Sequence, residues 1–424
     1  MLNTISGILH LQILRCSYVF NNNDFILCGN HLPINHDPMA NVNTKSEYIS
    51  GLTGLRGLAA LAVFAVHYNQ IVDFDLQAGP FDLYLFIANG EYGVALFFLL
   101  SGFLLALPFW QAILSAREWP NLKRYTLRRL ARILPAYYLA LTVLIIMDGL
   151  WRFPAGWTDI ALHYSFLFNY TEFSIFSINA PFWTLAVEVQ FYLCLPLLFI
   201  LLRRLPARLI ALAFVVLGLA AYGGHYWLSE SVTKAVAWPG SSALTWIRPH
   251  GAVVTHSLLA HLPLFLIGVV SSWVLLMIKE QIGSASSIHH RKAEISFWLS
   301  LFSILIFLSS DAGDLIQTPY GRYGLPLVPL LFAVMIVSVS FTRITSRILE
   351  GKVFLSLGVI SYGVYIFHLP CLKLIDRVMA SYGWDASEHW FVLAATSFTL
   401  TLILALSSYL LIERPVLKAV HRYT

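Results

Sequence analysis

The sequence predicts an all-α polytopic membrane bundle of about ten transmembrane helices with both termini in the cytoplasm. Three observations carry that reading. Of 424 residues, 58% are hydrophobic and 12% charged, a balance that no soluble domain of this size normally shows. Charge-poor stretches of spanning length recur at 55–72, 92–114, 133–150, 186–202, 208–228, 257–278, 295–310, 324–341, 354–372 and 390–412. The loops on the N-terminal side of these spans hold 21 of the 27 Lys and Arg residues, which assigns that side to the cytoplasm.

Residues 1–48 differ from the rest. The run Asn21 to Asp24, the clustered Asn, His and Pro, and the lack of a long apolar run predict a poorly ordered extension. An alternative is that translation starts at Met39. The apolar opening is broken by His10, Gln12 and Arg15, which is not the build of a signal peptide.

The first span reads LRGLAALAVFAVHY from Leu55 to Tyr68. Arg56 and His67 are eleven residues apart, so they share one helical stripe and are separated by roughly 16 Å along the axis. An arginine at the cytoplasmic boundary then puts the histidine near the bilayer midplane. Charge at that depth costs about 2.5–3.5 kcal/mol, which favours a functional histidine over one that merely joins helices. A neutral imidazole there could accept a proton from an attacking hydroxyl.

In the second span, GVALFFLLSGFLL from Gly93 to Leu105 offers close approach at Gly93, Ser101 and Gly102, to another helix or to an acyl chain. The third span is preceded by Arg128, Arg129 and Arg132, and Pro135 behind them suggests a break or kink. Those arginines suit anionic headgroups and orientation, or a phosphorylated cytoplasmic cosubstrate matched by guanidinium forks. The fourth span opens PFWTLAVEVQFY, with Thr184, Glu188 and Tyr192 at i, i+4 and i+8 on one side. An aromatic interfacial belt accounts for Trp183 and Tyr192 but not for Glu188, which points to acceptor binding or to a histidine partner. The ninth span carries Ser361, Tyr365 and His368 on one face and is expected to break at Pro370.

Other chemistries lack support. Cys16, Cys28, Cys194 and Cys371 have no metal-ligand spacing and are expected as free thiols, and no metal site is expected. No GxxxxGK[ST], HExxH or GxSxG motif occurs, which argues against an ATP-driven pump, a zincin and an ordinary serine hydrolase. Topology already uses the net charge of +5, so no nucleic-acid partner is implied.

In order, these segments resemble the acyltransferase family 3 membrane proteins, whose members O-acylate bacterial surface polysaccharides, exopolysaccharides, nodulation oligosaccharides and some macrolides. The likeness covers about residues 49–418, and 419–424 would be a cytoplasmic tail. It is carried by Arg56 and His67, GVALFFLLSGF, RRLARILPAYY, WTLAVEVQFY, SYGVYIFHLP and the closing IERP at Ile412 to Pro415. The resemblance implies a multi-pass protein of the cytoplasmic (inner) membrane, with acyl-CoA, acetyl-CoA in the simplest case, as cosubstrate and no permanently bound cofactor. It implies His67 as the catalytic histidine with Arg56 in support. The arginines at 128, 129 and 132, with Ser101, become the donor-binding set. Glu188 is expected as a third catalytic group on the acceptor side, and a glycan or glycoside acceptor would meet Trp183, Thr184, Tyr192, Ser361, Tyr365 and His368. Thr53 and Ala95 stand where the family often has Asp, so no role of those acids carries over. The expected protein is a single-domain O-acyltransferase, by direct transfer or through an acyl-histidine. The rival reading is a proton-coupled transporter or flippase for a polar metabolite or lipid-linked sugar.

Overall fold

The computed structural model describes residues 49–72, 81–115, 117–237, 251–282, 287–309 and 326–423, with short strands at Val19–Asn21, Asp24–Ile26 and Gln77–Ala78. The chain divides into two compact units, Met1–Ile49 and Ser50–Thr424. In the first, β1 (Val19–Asn21) pairs antiparallel with β2 (Asp24–Ile26). The rest of that extension, Met39, Cys16 and Cys28 included, lies outside the described residues.

The second unit is helical. Its first helix, α1 (Leu52–Val72), is followed by the short antiparallel pair β3 (Gln77–Ala78) and β4 (Phe81–Asp82), then α2 (Leu83–Ala88), α3 (Tyr92–Leu114), α4 (Leu122–Asp148) and α5 (Pro154–Tyr164). Next come α6 (Trp183–Leu202), α7 (Ala207–Ala237), α8 (Gly251–Thr255), α9 (Leu258–Ile282), α10 (Ser287–Leu308) and α11 (Leu327–Val339). The C-terminal part holds α12 (Ile344–Leu349), α13 (Lys352–Val359), α14 (Ser361–Ser381), α15 (Trp390–Ser408) and α16 (Arg414–Tyr423), the last two joined by a π-turn at Tyr409–Glu413.

Seven helical runs are long and apolar enough to cross a membrane: 52–72, 83–114, 122–148, 180–202, 207–229, 251–282 and 390–423. The bent pair α13 and α14 makes an eighth if it is one span. This is fewer than the ten expected. The expected span 295–310 falls on α10, whose opening turns before it carry Arg291, Lys292 and Glu294, and the span expected at 324–341 is the 13-residue α11. Neither meets the length and polarity of a spanning helix among the described residues. The outer surface is apolar, with Leu197, Leu201, Leu219 and Ile146 all exposed, which suits a lipid-facing belt rather than water.

Local chemistry explains the boundaries that matter for the site. The Asn121 side chain accepts from the Arg124 amide (3.0 Å) to start α4, and Gly149 in the left-handed region (φ 65°) ends it. The helix is continuous through Pro135, so the break expected there is absent and the arginines belong to the spanning helix itself. The break expected at Pro370 is also displaced. It falls at Ile360, where α13 and α14 bend by 74°, and the Ser361 hydroxyl donates to the Gly358 carbonyl (2.8 Å) that the bend frees. Pro370 stays inside α14 because the Ile366 carbonyl, whose helical donor Pro370 cannot supply, accepts from the Asn179 amide (3.2 Å).

Glycines set the crossing of α3 with α9. A Cβ at Gly102 of α3 would lie 2.0 Å from the Phe265 carbonyl oxygen, and one at Gly268 of α9 would lie 2.1 Å from that of Leu99. The two backbones therefore touch, and Trp110 fixes the register by donating to the Val269 carbonyl (2.9 Å). Phe98, Phe191 and Phe265 stack beside this crossing and fill the space toward α6.

Candidate active site

Polar side chains of α1, α3, α4, α6 and α14 gather in three groups inside the bundle. The first joins α1 to α14. The rings of His67 and His368 lie 5.1 Å apart, tilted by 33°. His67 Nδ1 lies 2.9 Å from the Gln70 side-chain oxygen; in the tautomer that donates to it, Nε2 is the basic nitrogen. His368 is buried, and its Nδ1 donates to the Tyr365 carbonyl (2.7 Å). Its Nε2 is buried without a hydrogen-bond partner.

The second group lies one turn along α14. Tyr365 donates to the Pro181 carbonyl (3.0 Å) and its oxygen accepts from Thr184 (2.7 Å), while Phe97 packs edge-on against its ring. Ser361, expected on the same functional face, instead donates back across the bend to Gly358 of α13. Trp183 points elsewhere, between His256 (4.6 Å) and His261 (4.8 Å). Those two buried histidines were not singled out from sequence. Their only signal is a pair of imidazoles five residues apart at the start of an apolar stretch.

The third group is centred on Glu188, whose Oε1 accepts from Ser101 (2.7 Å) and, through a short bond, from Tyr192. Ser101 and Tyr192 then line a small internal cavity with Arg56, Arg129 and Arg132, walled by Leu100, Leu104 and Leu105. Among the described residues no carboxylate comes within 4 Å of these three guanidiniums, and Arg56 Nε is buried with no hydrogen-bond partner. Glu188 and Tyr192 stand in electrostatic range of Arg56 and Arg132. Arg128, expected with its neighbours, does not line this cavity, because one residue along a helix is a turn of about 100°.

Helical spacing explains which expected residues meet. The stripe Thr184, Glu188, Tyr192 is real as geometry but serves two groups: Thr184 meets Tyr365, and Glu188 and Tyr192 meet Ser101. Arg56 and His67 likewise stand at opposite ends of α1, one in the arginine cavity and one in the histidine pair. A residue that spacing alone did not select is Glu413, buried in the π-turn, held by Ser408 (3.0 Å) and within electrostatic range of Arg132. The π-turn inserts one residue into the helix and so rotates α16 relative to α15. Among the described residues no three His, Cys, Asp or Glu side chains could hold a metal ion.

A histidine pair and an arginine cluster inside one apolar helical bundle mark an integral-membrane protein that holds ionisable groups at depth. The comparison with known families narrows this. Residues 49–408 match the acyltransferase domain family, and the chain belongs to it. It is 25% identical over 350 residues to the peptidoglycan O-acetyltransferase OatA of Listeria monocytogenes, covering 78% of this chain and 52% of that protein. It is 34% identical over 170 residues to the acyltransferase MdmB of Streptomyces mycarofaciens, covering 38% of this chain and 41% of that one. The O-acetyltransferase OatA of Staphylococcus aureus is 23% identical over 360 residues, covering 78% and 53%. The chain thus spans about half the length of these relatives or less. No solved structure matches it.

Proposed function

We propose that this membrane acyltransferase moves an acyl group, acetyl in the simplest case, from acyl-CoA to a hydroxyl of a cell-surface or lipid-linked glycan. The observation that carries the reading is that α1 ends in two different chemical settings: Arg56 in a cavity lined by three arginines, none with a carboxylate within 4 Å among the described residues, and His67 against His368. The arginines suit a phosphorylated donor, because guanidinium forks with no carboxylate within ion-pair distance favour an incoming phosphate. His67 Nε2 suits a hydroxyl acceptor. The O-acetyltransferase names of two relatives support an oxygen acceptor.

In this mechanism Nε2 of His67 takes the proton of the acceptor hydroxyl as its oxygen attacks the thioester carbonyl. The carbon–sulfur bond breaks, and the imidazolium returns that proton to the departing thiolate. His368 lies against His67 and keeps the imidazole in place. Glu188, Ser101 and Tyr192 form a positioning cluster between the cavity and the reacting centre. Walls of Leu and Phe exclude water and so protect the thioester from hydrolysis. The proposal includes ten spans, with α10 and α11 among them, and both termini in the cytoplasm of the inner membrane.

The test uses purified full-length protein, acyl-CoA and a glycan acceptor, with free thiol and esterified product both measured. His67→Ala is expected to lose transfer by about 10²-fold or more. Transfer near the wild-type rate overturns the assignment, and substrate uptake without thiol release would mark a transporter instead.

A further inference from the structure

The connection between α4 and α6 reverses the usual arrangement of a loop in water. Phe153, at the start of α5, and Trp157 and Tyr164 within it fall on one helical face and are exposed, Phe153 by 61% and Trp157 by 60%. Asp159 and His163 are buried on the opposite face. That polar face is docked on α4, where Tyr137 donates to the His163 carbonyl (2.9 Å) and Tyr138 to the Tyr164 carbonyl (3.0 Å). The same inversion continues beyond the helix, where Tyr170, Phe173 and Phe176 are exposed while Asn169 and Ser174 are buried. Between Phe153 and Phe176 the only Asp, Glu, Lys or Arg side chains are Asp159 and Glu172, and Glu172 accepts from the Val253 amide (3.1 Å). A loop solvated on its outer side would carry its charges there.

We propose that residues 153–176 form a membrane-interface element whose aromatic face rests in lipid at one end of the bundle. At 11 residues α5 is too short to span. Its neighbours in the chain indicate what covers the exposed face. The helices on either side, α4 and α6, are long and apolar enough to cross the membrane, and the last turn of α4 exposes Ile146 and Met147, so apolar surface runs on from a lipid-facing helix into α5. At the junction the Arg152 guanidinium lies 5.2 Å from the centre of the Trp151 ring, a cation–aromatic pair of the kind that suits the headgroup level. A sugar-binding platform needs hydrogen-bonding groups around its rings, but Asp159, Asn169 and Ser174 are turned inward. An interfacial helix needs only one apolar face, because the bilayer is the opposing surface. α5 is thus held by hydrogen bonds to α4 on its polar side and by lipid on its aromatic side, whatever reaction the bundle performs.

The experiment places a nitrobenzoxadiazole label at single cysteines in the full-length protein, its native cysteines replaced by serine, reconstituted in phosphatidylcholine vesicles with quencher on both sides. Labels at Trp157→Cys and, independently, at Phe173→Cys are expected to show blue-shifted emission that doxyl-labelled phosphatidylcholine quenches and aqueous iodide does not. A label at Ser387→Cys, in the exposed loop between α14 and α15, is the aqueous reference and should show the reverse. Iodide quenching at the two test sites equal to that at the reference overturns the proposal, because the segment is then a loop in water. Protection from both quenchers also overturns it and gives the face to a protein partner. Emission that changes only when a soluble glycan is added overturns it in favour of a carbohydrate platform.

Discussion

Single residues decide how polar groups survive inside this bundle. The carbonyl of Ile366 has no helical donor because Pro370 has no N–H, and Asn179 supplies one from another segment of the chain. Asn179→Ala should therefore cost about 1–3 kcal/mol, read as a lower unfolding midpoint in detergent. Adding Pro370→Ala should restore most of that loss by returning the helical donor, and a double variant no more stable than the single one would refute the explanation. A second residue-scale prediction concerns Asp159, outside the spans, which pairs with His163 (3.1 Å) and accepts from Ser174. Burial alone would raise its carboxyl, but the bonds from His163, Ser174 and Ser177 outweigh that and hold it below its ordinary value. A carboxyl lowered by folding stabilises above its unfolded pKa, and that contribution is lost as pH falls through the folded value. Stability of the wild type should thus drop below about pH 4, and Asp159→Asn, less stable at neutral pH, should flatten the drop. Parallel pH profiles for the two proteins would contradict this.

At the scale of elements, the part legible in the sequence matches the reach of helical periodicity. Arg56, Ser101, Arg129, Arg132, Glu188 and Tyr192 were each selectable as polar groups on apolar helices, and the structure brings them to one place. Which helix meets which was not legible. Nothing within α1 or α14 says that His67 faces His368, and nothing within α6 says that Thr184 and Glu188 serve different neighbours. The bend also escaped detection, because proline was the visible breaker while the actual break at Ile360 comes from packing: a Cβ at Gly358 would lie 1.9 Å from the Thr53 carbonyl oxygen. The α3–α9 crossing is the clearest element-level test. Gly102→Ala places a methyl against the backbone of α9, which no side-chain rotation relieves, and should cost about 1–3 kcal/mol with helicity retained. An unshifted unfolding midpoint would mean that the two helices part more easily than their contact suggests.

For the whole molecule, the decisive property is direction. Basic residues mark one end of the bundle: Lys123 and Arg124 at the start of α4 and Lys418 and Arg422 on α16 all sit there, on the side of the arginine cavity. The opposite end holds the loop between α14 and α15, where Ser387 is exposed. With acyl-CoA as the proposed donor, the basic end is predicted to face the cytoplasm. This gives a sidedness prediction for intact cells. In a chain whose native cysteines are replaced by serine, Ser387→Cys should react with a membrane-impermeant maleimide from outside, and Lys418→Cys only after permeabilisation. Reversed labelling would invert the bundle and place the arginine cavity away from coenzyme A, leaving the proposed reaction without its donor. Labelling of both positions from outside would break the span count at α15 itself. The predicted pattern is the one the proposed route needs, with the acyl donor at the basic end and His67 about 16 Å along α1 from Arg56.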